Sequence, residues 1–180
     1  MSKRYEWAGE FNNGVAAVKK GEKYGYVHSS GKELTALQYD FAEAVNGGIA
    51  VAQEKNTYYI LHFGAQPKKI KLPGISAVGV YSEGLLSIQM ADSEKWGFID
   101  AEGKGVIQPA YWDAIPFLED LAGVKDTTSH LWGFIDRQGK LVIPFNYEKV
   151  SSFESGKAKV SRNNKSYFID KRNRCVSDCN

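Results

Sequence analysis

The chain has 180 residues, 43% of them hydrophobic, and its 23 basic and 21 acidic side chains leave a net charge of +2. Near-neutrality argues against nucleic acid or an anionic membrane as the main partner. No apolar run approaches the roughly 18 residues that span a bilayer, so no membrane insertion is expected.

The N-terminus, Met1-Ser2-Lys3-Arg4-Tyr5-Glu6-Trp7, has the charge of a signal peptide but no apolar segment behind it, so a cytoplasmic address is expected. Tyr5 then opens a repeat. Tyr39, Ile75, Tyr111 and Tyr147 stand in the same place at spacings of 34, 36, 36 and 36 residues. One domain over residues 1–180 is expected, with repeats at about 5–38, 39–74, 75–110, 111–146 and 147–180.

Six residues after each landmark stands Phe11, Val45, Tyr81, Phe117 or Phe153. A turn residue follows (Gly14, Gly84, Asp120, Gly156) and then a short extended run such as Val15-Ala16-Ala17-Val18. After a polar hairpin comes the most regular passage, Trp96-Gly97-Phe98-Ile99-Asp100 and Trp132-Gly133-Phe134-Ile135-Asp136. Its aromatic and β-branched residues suit a half-buried strand. Tyr24-Gly25 and Ser166-Tyr167 stand in the same place. In the second repeat, counting back from Tyr39 favours Tyr58, and the turn glycine Gly64 favours Thr57. The glycine leaves room for a neighbouring aromatic ring to lie across bare backbone.

A turn follows, as in Asp136-Arg137-Gln138-Gly139-Lys140, and Asn173 replaces its glycine in the last copy, since both tolerate a left-handed backbone. Next comes an apolar run that Pro109 and Pro144 are expected to end. A short strand or bend over Tyr147 to Phe153 leads onward. No stretch has a sustained helical period, so little helix is expected. The expected fold is all-β: five tandem repeats, each of three or four short antiparallel strands, covering one another's apolar faces. They would form a propeller-like ring or an open β-spiral.

Asp100, Asp136 and Asp170 read as caps of their turns, with His28 in the first copy. A whole repeat separates each from the next, so they cannot share a proton as a catalytic pair does. His28, His62 and His130 read as unrelated turn or loop residues without metal spacing, and no nucleophile elbow, phosphate loop or dinucleotide fingerprint occurs. No catalytic residue, cofactor or metal site is expected. Cys175 and Cys179 are too few for a disulfide framework or a zinc site. They read as free thiols on a frayed tail, although their spacing would let them pair.

Two interaction readings remain. The hairpins before the Trp-Gly strand vary most, and loops on a rigid scaffold commonly carry binding residues. Lys20, Glu22, Lys23, Glu54, Asp92, Lys95, Asp126, Thr128, His130, Arg162 and Asn164 are the candidates for a protein partner. Tyr24, Trp96 and Trp132 read chiefly as core, and alternatively as pockets for a glycan or small ligand. Trp7 and Trp112 read as one packing slot, with Phe41 and Lys149.

The motif W-G-F-I-D-x-x-G-K, then V-I-x-P and tyrosine, together with F-x-x-G-x-A-x-V, resembles the WG-repeat (KWG-repeat) family, found mainly in bacteria. The likeness covers nearly the whole chain and is weakest in the second and fifth repeats. It implies a β-rich scaffold and supplies no catalytic residue.

Overall fold

In the computed structural model residues 4–179 are described, so Met1, Ser2 and Lys3, where the reading of the N-terminus began, lie outside them. Five small antiparallel sheets follow one another, one for each repeat, and there is no helix among the described residues. The first holds β1 (Trp7–Ala8), β2 (Val15–Lys20) and β3 (Lys23–His28). The second holds β4 (Phe41–Ala42), β5 (Ile49–Glu54), β6 (Thr57–His62) and β7 (Lys68–Leu72). The third is β8 (Ile75–Val78), β9 (Leu85–Met90), β10 (Trp96–Asp100) and β11 (Gly105–Tyr111). The fourth is β12 (Asp113–Ala114), β13 (Ala122–Lys125), β14 (Trp132–Ile135) and β15 (Leu141–Tyr147). The fifth is β16 (Lys149–Val150), β17 (Lys157–Arg162), β18 (Lys165–Asp170) and β19 (Cys175–Ser177). Strands pair in chain order. The chain divides into two compact units: one runs to Ile75 and takes in Ala101–Gly103, and the other holds Ser76–Asp100 and everything from Lys104.

The turn between the first and second strands recurs in all five sheets. Its two central residues have positive φ, from Asn13 (48°) and Gly14 (75°) to Ser155 (52°) and Gly156 (76°), as a type I′ turn requires. Asp120 (69°) takes the left-handed place in the fourth sheet, as its glycine-equivalent position implied. The Asp turns are likewise as expected. Asp136 Oδ1 accepts the Gln138 and Lys140 N–H groups at 3.0 and 2.9 Å. Asp170 Oδ1 does the same for Arg172 and Arg174, both at 2.9 Å, and Asp100 caps Lys104. Asn173 is left-handed (φ 62°).

The Trp-Gly glycines make room for backbone rather than chiefly for a ring, which corrects the sequence expectation. A Cβ on Gly97 would lie 2.6 Å from the Ile107 carbonyl oxygen and 2.7 Å from Pro109 N. On Gly133 it would lie 2.5 Å from the Ile143 oxygen, with the edge of the Phe145 ring at 3.0 Å. The fourth strand bulges over the glycine: pairing slips between Trp96 and Phe98, and again between Trp132 and Phe134. Pro109 and Pro144 therefore do not end their strands. β11 and β15 run through them because each is a sheet edge with a bulge, where a missing N–H is tolerated. Hairpin register settles the second repeat in favour of Tyr58, paired with Gln53 as Trp96 is with Gln89. Tyr59 then occupies the glycine place, and β7 pairs with β6 in unbroken register.

Register also places His62 opposite Ile49, as His28 is opposite Val15 and Asp100 opposite Leu85. His28 and His62 thus share the slot of the turn aspartates, which corrects the view that the histidines are unrelated. His62 escaped notice because the turn after it is replaced by a longer connection. Trp7 pairs with Lys19, and the matching pair in the fourth sheet is Asp113 with Lys125. Trp112 is one residue out of step with Trp7 and lies between β11 and β12, outside either strand. Nor are these two packed away: they are 49% and 54% exposed. The C-terminal tail is not frayed either. Cys175 lies in β19 and is joined to Cys179 by a disulfide.

In the second unit, each repeat shields the next through one aromatic pair. Phe98 meets Phe117, and Phe134 meets Phe153, both edge-to-face at 4.9 Å and 65°. All four rings are at most 1% exposed. A carboxylate clamp accompanies each pair. Glu83 accepts the Glu119 and Asp120 N–H groups at 2.6 and 3.0 Å, and Arg137 lies 3.8 Å from it. Glu119 accepts the Gly156 N–H at 3.1 Å and meets Lys171 at 3.2 Å. The Gly156 N–H, and then Lys171, hold the Glu119 carboxyl below its ordinary 4.5. Its contribution is therefore fully present above pH 4.5 and is lost as pH falls from there through the lower folded value. Glu119→Gln should lower Tm at neutral pH and flatten the fall of Tm on the acid side, as followed by thermal unfolding across that range.

Ser87, in β9, is 1% exposed and its hydroxyl has no hydrogen-bond partner among the described residues. An unsatisfied buried hydroxyl is costly, so Ser87→Ala should stabilise the fold by about 1 kcal/mol in denaturant unfolding. In the first unit the core gathers Val15, Tyr26, Tyr39, Val45 and Leu61 from both repeats. The Tyr26 hydroxyl donates to the Glu43 carbonyl at 2.8 Å, and burial raises its pKa.

Candidate functional site

Between the second and third strands every sheet turns through a polar hairpin, and the hairpins come in two lengths. In sheets one, two and five only two residues stand outside the ladder: Gly21-Glu22, Lys55-Asn56 and Asn163-Asn164. Lys55, Asn56, Asn163 and Asn164 take positive φ between 48° and 62°. A carboxylate directly after the landmark tyrosine pins each tip. Glu6 accepts from Gly21 N at 3.1 Å, Asp40 from Lys55 N at 2.9 Å, and Glu148 from Asn163 N at 2.9 Å.

Sheets three and four carry a longer loop built on one α-turn. The Glu94 N–H donates to the Met90 carbonyl at 2.9 Å, and the His130 N–H to the Asp126 carbonyl at 3.1 Å. Both loops close on a left-handed residue, Glu94 (φ 56°) or His130 (φ 55°). The pinning slot here holds Ser76 and Trp112. Ser76 Oγ donates to Gln89 Oε1 at 3.2 Å, while the Trp112 ring meets His130 edge-on at 4.9 Å. Asp126 Oδ2 accepts the Ser129 N–H at 2.7 Å, the Ser129 hydroxyl at 2.8 Å and the Thr128 N–H at 3.1 Å. These donors, the Ser129 N–H foremost, hold the carboxyl below the usual range.

The candidate residues therefore divide. Lys20, Glu22, Asp92, Lys95, Thr128, His130, Arg162 and Asn164 are exposed at their loop tips. Lys23 is paired with Asp40, Glu54 with Lys69 at 2.9 Å, and Asp126 is spent on its own loop. Those three serve the scaffold. Sequence reasoning missed the pinning acids and Trp112, although an acidic residue directly after the landmark tyrosine in three repeats was a usable signal. Tyr24, Trp96 and Trp132 each flank a core cluster, partly buried. Among the described residues, no group of three or more His, Cys, Asp or Glu is placed to hold a metal ion.

A family model, the WG containing repeat, matches residues 2–24, 24–58, 96–126 and 132–165. The chain belongs to the WG-repeat family. No curated protein matches this WG-repeat chain. Among solved structures it is similar to Hsv2 of Kluyveromyces lactis, with a TM-score of 0.59 and 12% identity over 91% of this chain. It is similar also to the form of that protein with complete loop 6CD, at TM-score 0.57 and 14% identity over 89% of this chain. A third likeness is to the form with loop 6CD replaced by a Gly-Ser linker, at TM-score 0.57 and 14% identity over 91%. The WG-repeat chain spans 61%, 59% and 63% of those three chains, less than two thirds of each. At such identity the likeness concerns the fold alone: Hsv2 is a β-propeller, and this chain shares with it an all-β architecture of small antiparallel sheets.

Proposed function

We propose that this WG-repeat protein is a non-enzymatic scaffold that binds a protein partner through its second-to-third-strand hairpins. One observation carries the reading. Each hairpin rises from a hydrogen-bonded strand pair, and three are pinned at the tip by a carboxylate, while the hairpins differ in length, charge and shape from sheet to sheet. A rigid base with variable tips keeps the entropy cost of binding low and leaves specificity to the loops. The long loop of the fourth sheet is the proposed centre, since exposed Trp112 beside His130 supplies the amphipathic ring that interfaces favour.

The test is capture from a native lysate by the wild-type chain and by a Lys95→Glu/Thr128→Asp/His130→Ala variant, with Gln138→Ala in a different turn as control. The reading expects a partner retained by wild type and control and lost by the loop variant. A partner retained equally by all three refutes it. A second reading, a glycan or small-ligand module on Tyr24, Trp96 and Trp132, is supported by the partial exposure of these rings beside their core clusters. Tryptophan emission unmoved by sugars and choline-like amines would dispose of it.

A propeller-like arrangement of the five sheets, rather than an open spiral, belongs to the same proposal and is supported by the likeness to Hsv2. So does a cytoplasmic setting. There the Cys175–Cys179 pair would be reduced and open to rapid alkylation on lysis, whereas an oxidising compartment would keep it closed.

A further inference from the structure

The first unit departs from the repeat pattern at two places, and the two departures line one cleft. In the first sheet an irregular segment, residues 32–39, stands where a fourth strand runs in the other sheets. It satisfies β3 by other means: Tyr26 N donates to Thr35 Oγ1 at 2.9 Å, and Leu34 N to the Tyr26 carbonyl at 2.8 Å. In the second sheet a longer connection, residues 63–67, replaces the tight turn. These segments and the neighbouring strands line a cleft of about 560 Å³, a size common among small-molecule sites.

The chemistry of its walls is distinctive. Leu34, Leu61 and Phe63 supply an apolar surface. His28 and His62 also line it, the two imidazoles that stand where other repeats carry Asp100, Asp136 and Asp170. Lys68 and Lys69 line it too, and no acidic side chain does. The slot that is anionic in three repeats has thus lost its negative charge in both repeats that face this cleft. The Ser30 N–H donates to His28 Nδ1 at 3.1 Å, so the neutral ring carries its proton on Nε2, as a donor. His62 is oriented by its Nε2, which donates to the Ala101 carbonyl at 2.8 Å.

The lysines are partly compensated. Lys69 is bound to Glu54 at 2.9 Å and lies 4.1 Å over the Tyr59 ring, and Lys68 meets Glu102 at 3.3 Å. The remaining excess of positive charge is small. It suits a monoanion better than a doubly charged phosphate, whose desolvation it would not offset.

We propose that this cleft binds a small monocarboxylate with an apolar body. The carboxylate accepts from the His28 Nε2–H and the flanking ammonium groups, His62 forms an uncharged part of the wall, and the body lies against Leu34, Leu61 and Phe63. This site is separate from the hairpin loops, and either reading stands if the other fails.

The experiment titrates the full chain with hexanoate and benzoate, each beside its neutral counterpart (1-hexanol, benzyl alcohol), and with hexyl phosphate. Backbone amide NMR shifts report the binding. The variant is His28→Asp/His62→Asp, which places at both positions the residue that holds the matching slot in the other three repeats. Saturable shifts at Gln38, Phe63 and Lys69 are expected for the carboxylates. Affinity should fall at least about tenfold for the alcohols and for the double variant, since an opposed like charge costs more than the 1.4 kcal/mol that a factor of ten represents. The absence of saturation, equal binding of the alcohols, tighter binding of hexyl phosphate, or an unaffected double variant would each overturn the proposal. Should the double variant unfold, Gln38→Glu places a charge at the cleft without changing a turn cap and must show the same loss.

Discussion

Phe153→Ala should lower stability by about 4 kcal/mol in denaturant unfolding, whereas Phe11→Ala should change it by less than about 0.5 kcal/mol. The two residues stand at the same place in the repeat. Phe153 is fully buried against Phe134, the ring of the preceding repeat. Phe11 belongs to the first repeat and is 54% exposed. The contrast isolates neighbour shielding, since residue type, strand position and turn are shared and only the covering ring differs. Comparable losses at both sites would mean that the aromatic matters within its own repeat and that shielding contributes little.

The second large effect concerns the glycine after tryptophan. Gly133→Ala should cost about 3 kcal/mol, because the new methyl would press on a backbone carbonyl that cannot rotate away. The Ile143 oxygen lies 2.5 Å from the position of that methyl. Gly105→Ala is the control: its nearest neighbour would be the flexible tip of Gln108 at 3.6 Å, and its change should be near zero. The natural exception supports the account. Where Tyr59 fills the glycine place, β7 pairs in unbroken register and no bulge crosses over it.

Features set by a few adjacent residues were legible in the sequence. The left-handed turn residues, the Asp caps and the alternation of strands and hairpins all depend on contacts within a few positions. The Glu83 and Glu119 clamps were not legible, because each glutamate bonds a backbone one repeat further on and only two repeats carry it. The prolines misled because their effect depends on edge position, which composition does not disclose. Trp112 was misplaced by a single residue, enough to move it from the slot of Trp7 to that of the pinning acids Glu6, Asp40 and Glu148. His62 was hidden by the loss of the turn that marks its slot elsewhere. Of the loop candidates, exposure at the tips of Lys95, Thr128 and His130 followed from hairpin position. The commitment of Lys23 and Glu54 to the scaffold did not, since their partners Asp40 and Lys69 lie elsewhere in the chain, whereas the Asp126 cap within its own loop is as local as the Asp136 cap and was overlooked.

A double-mutant cycle on Phe134 and Phe153, with each ring replaced singly and together by leucine and stability read from denaturant unfolding, is the most direct measurement. Rings that lock successive repeats together should show a coupling energy of about 1 kcal/mol. Strict additivity, with the double loss equal to the sum of the single losses, would contradict it and leave each repeat to stand on its own packing.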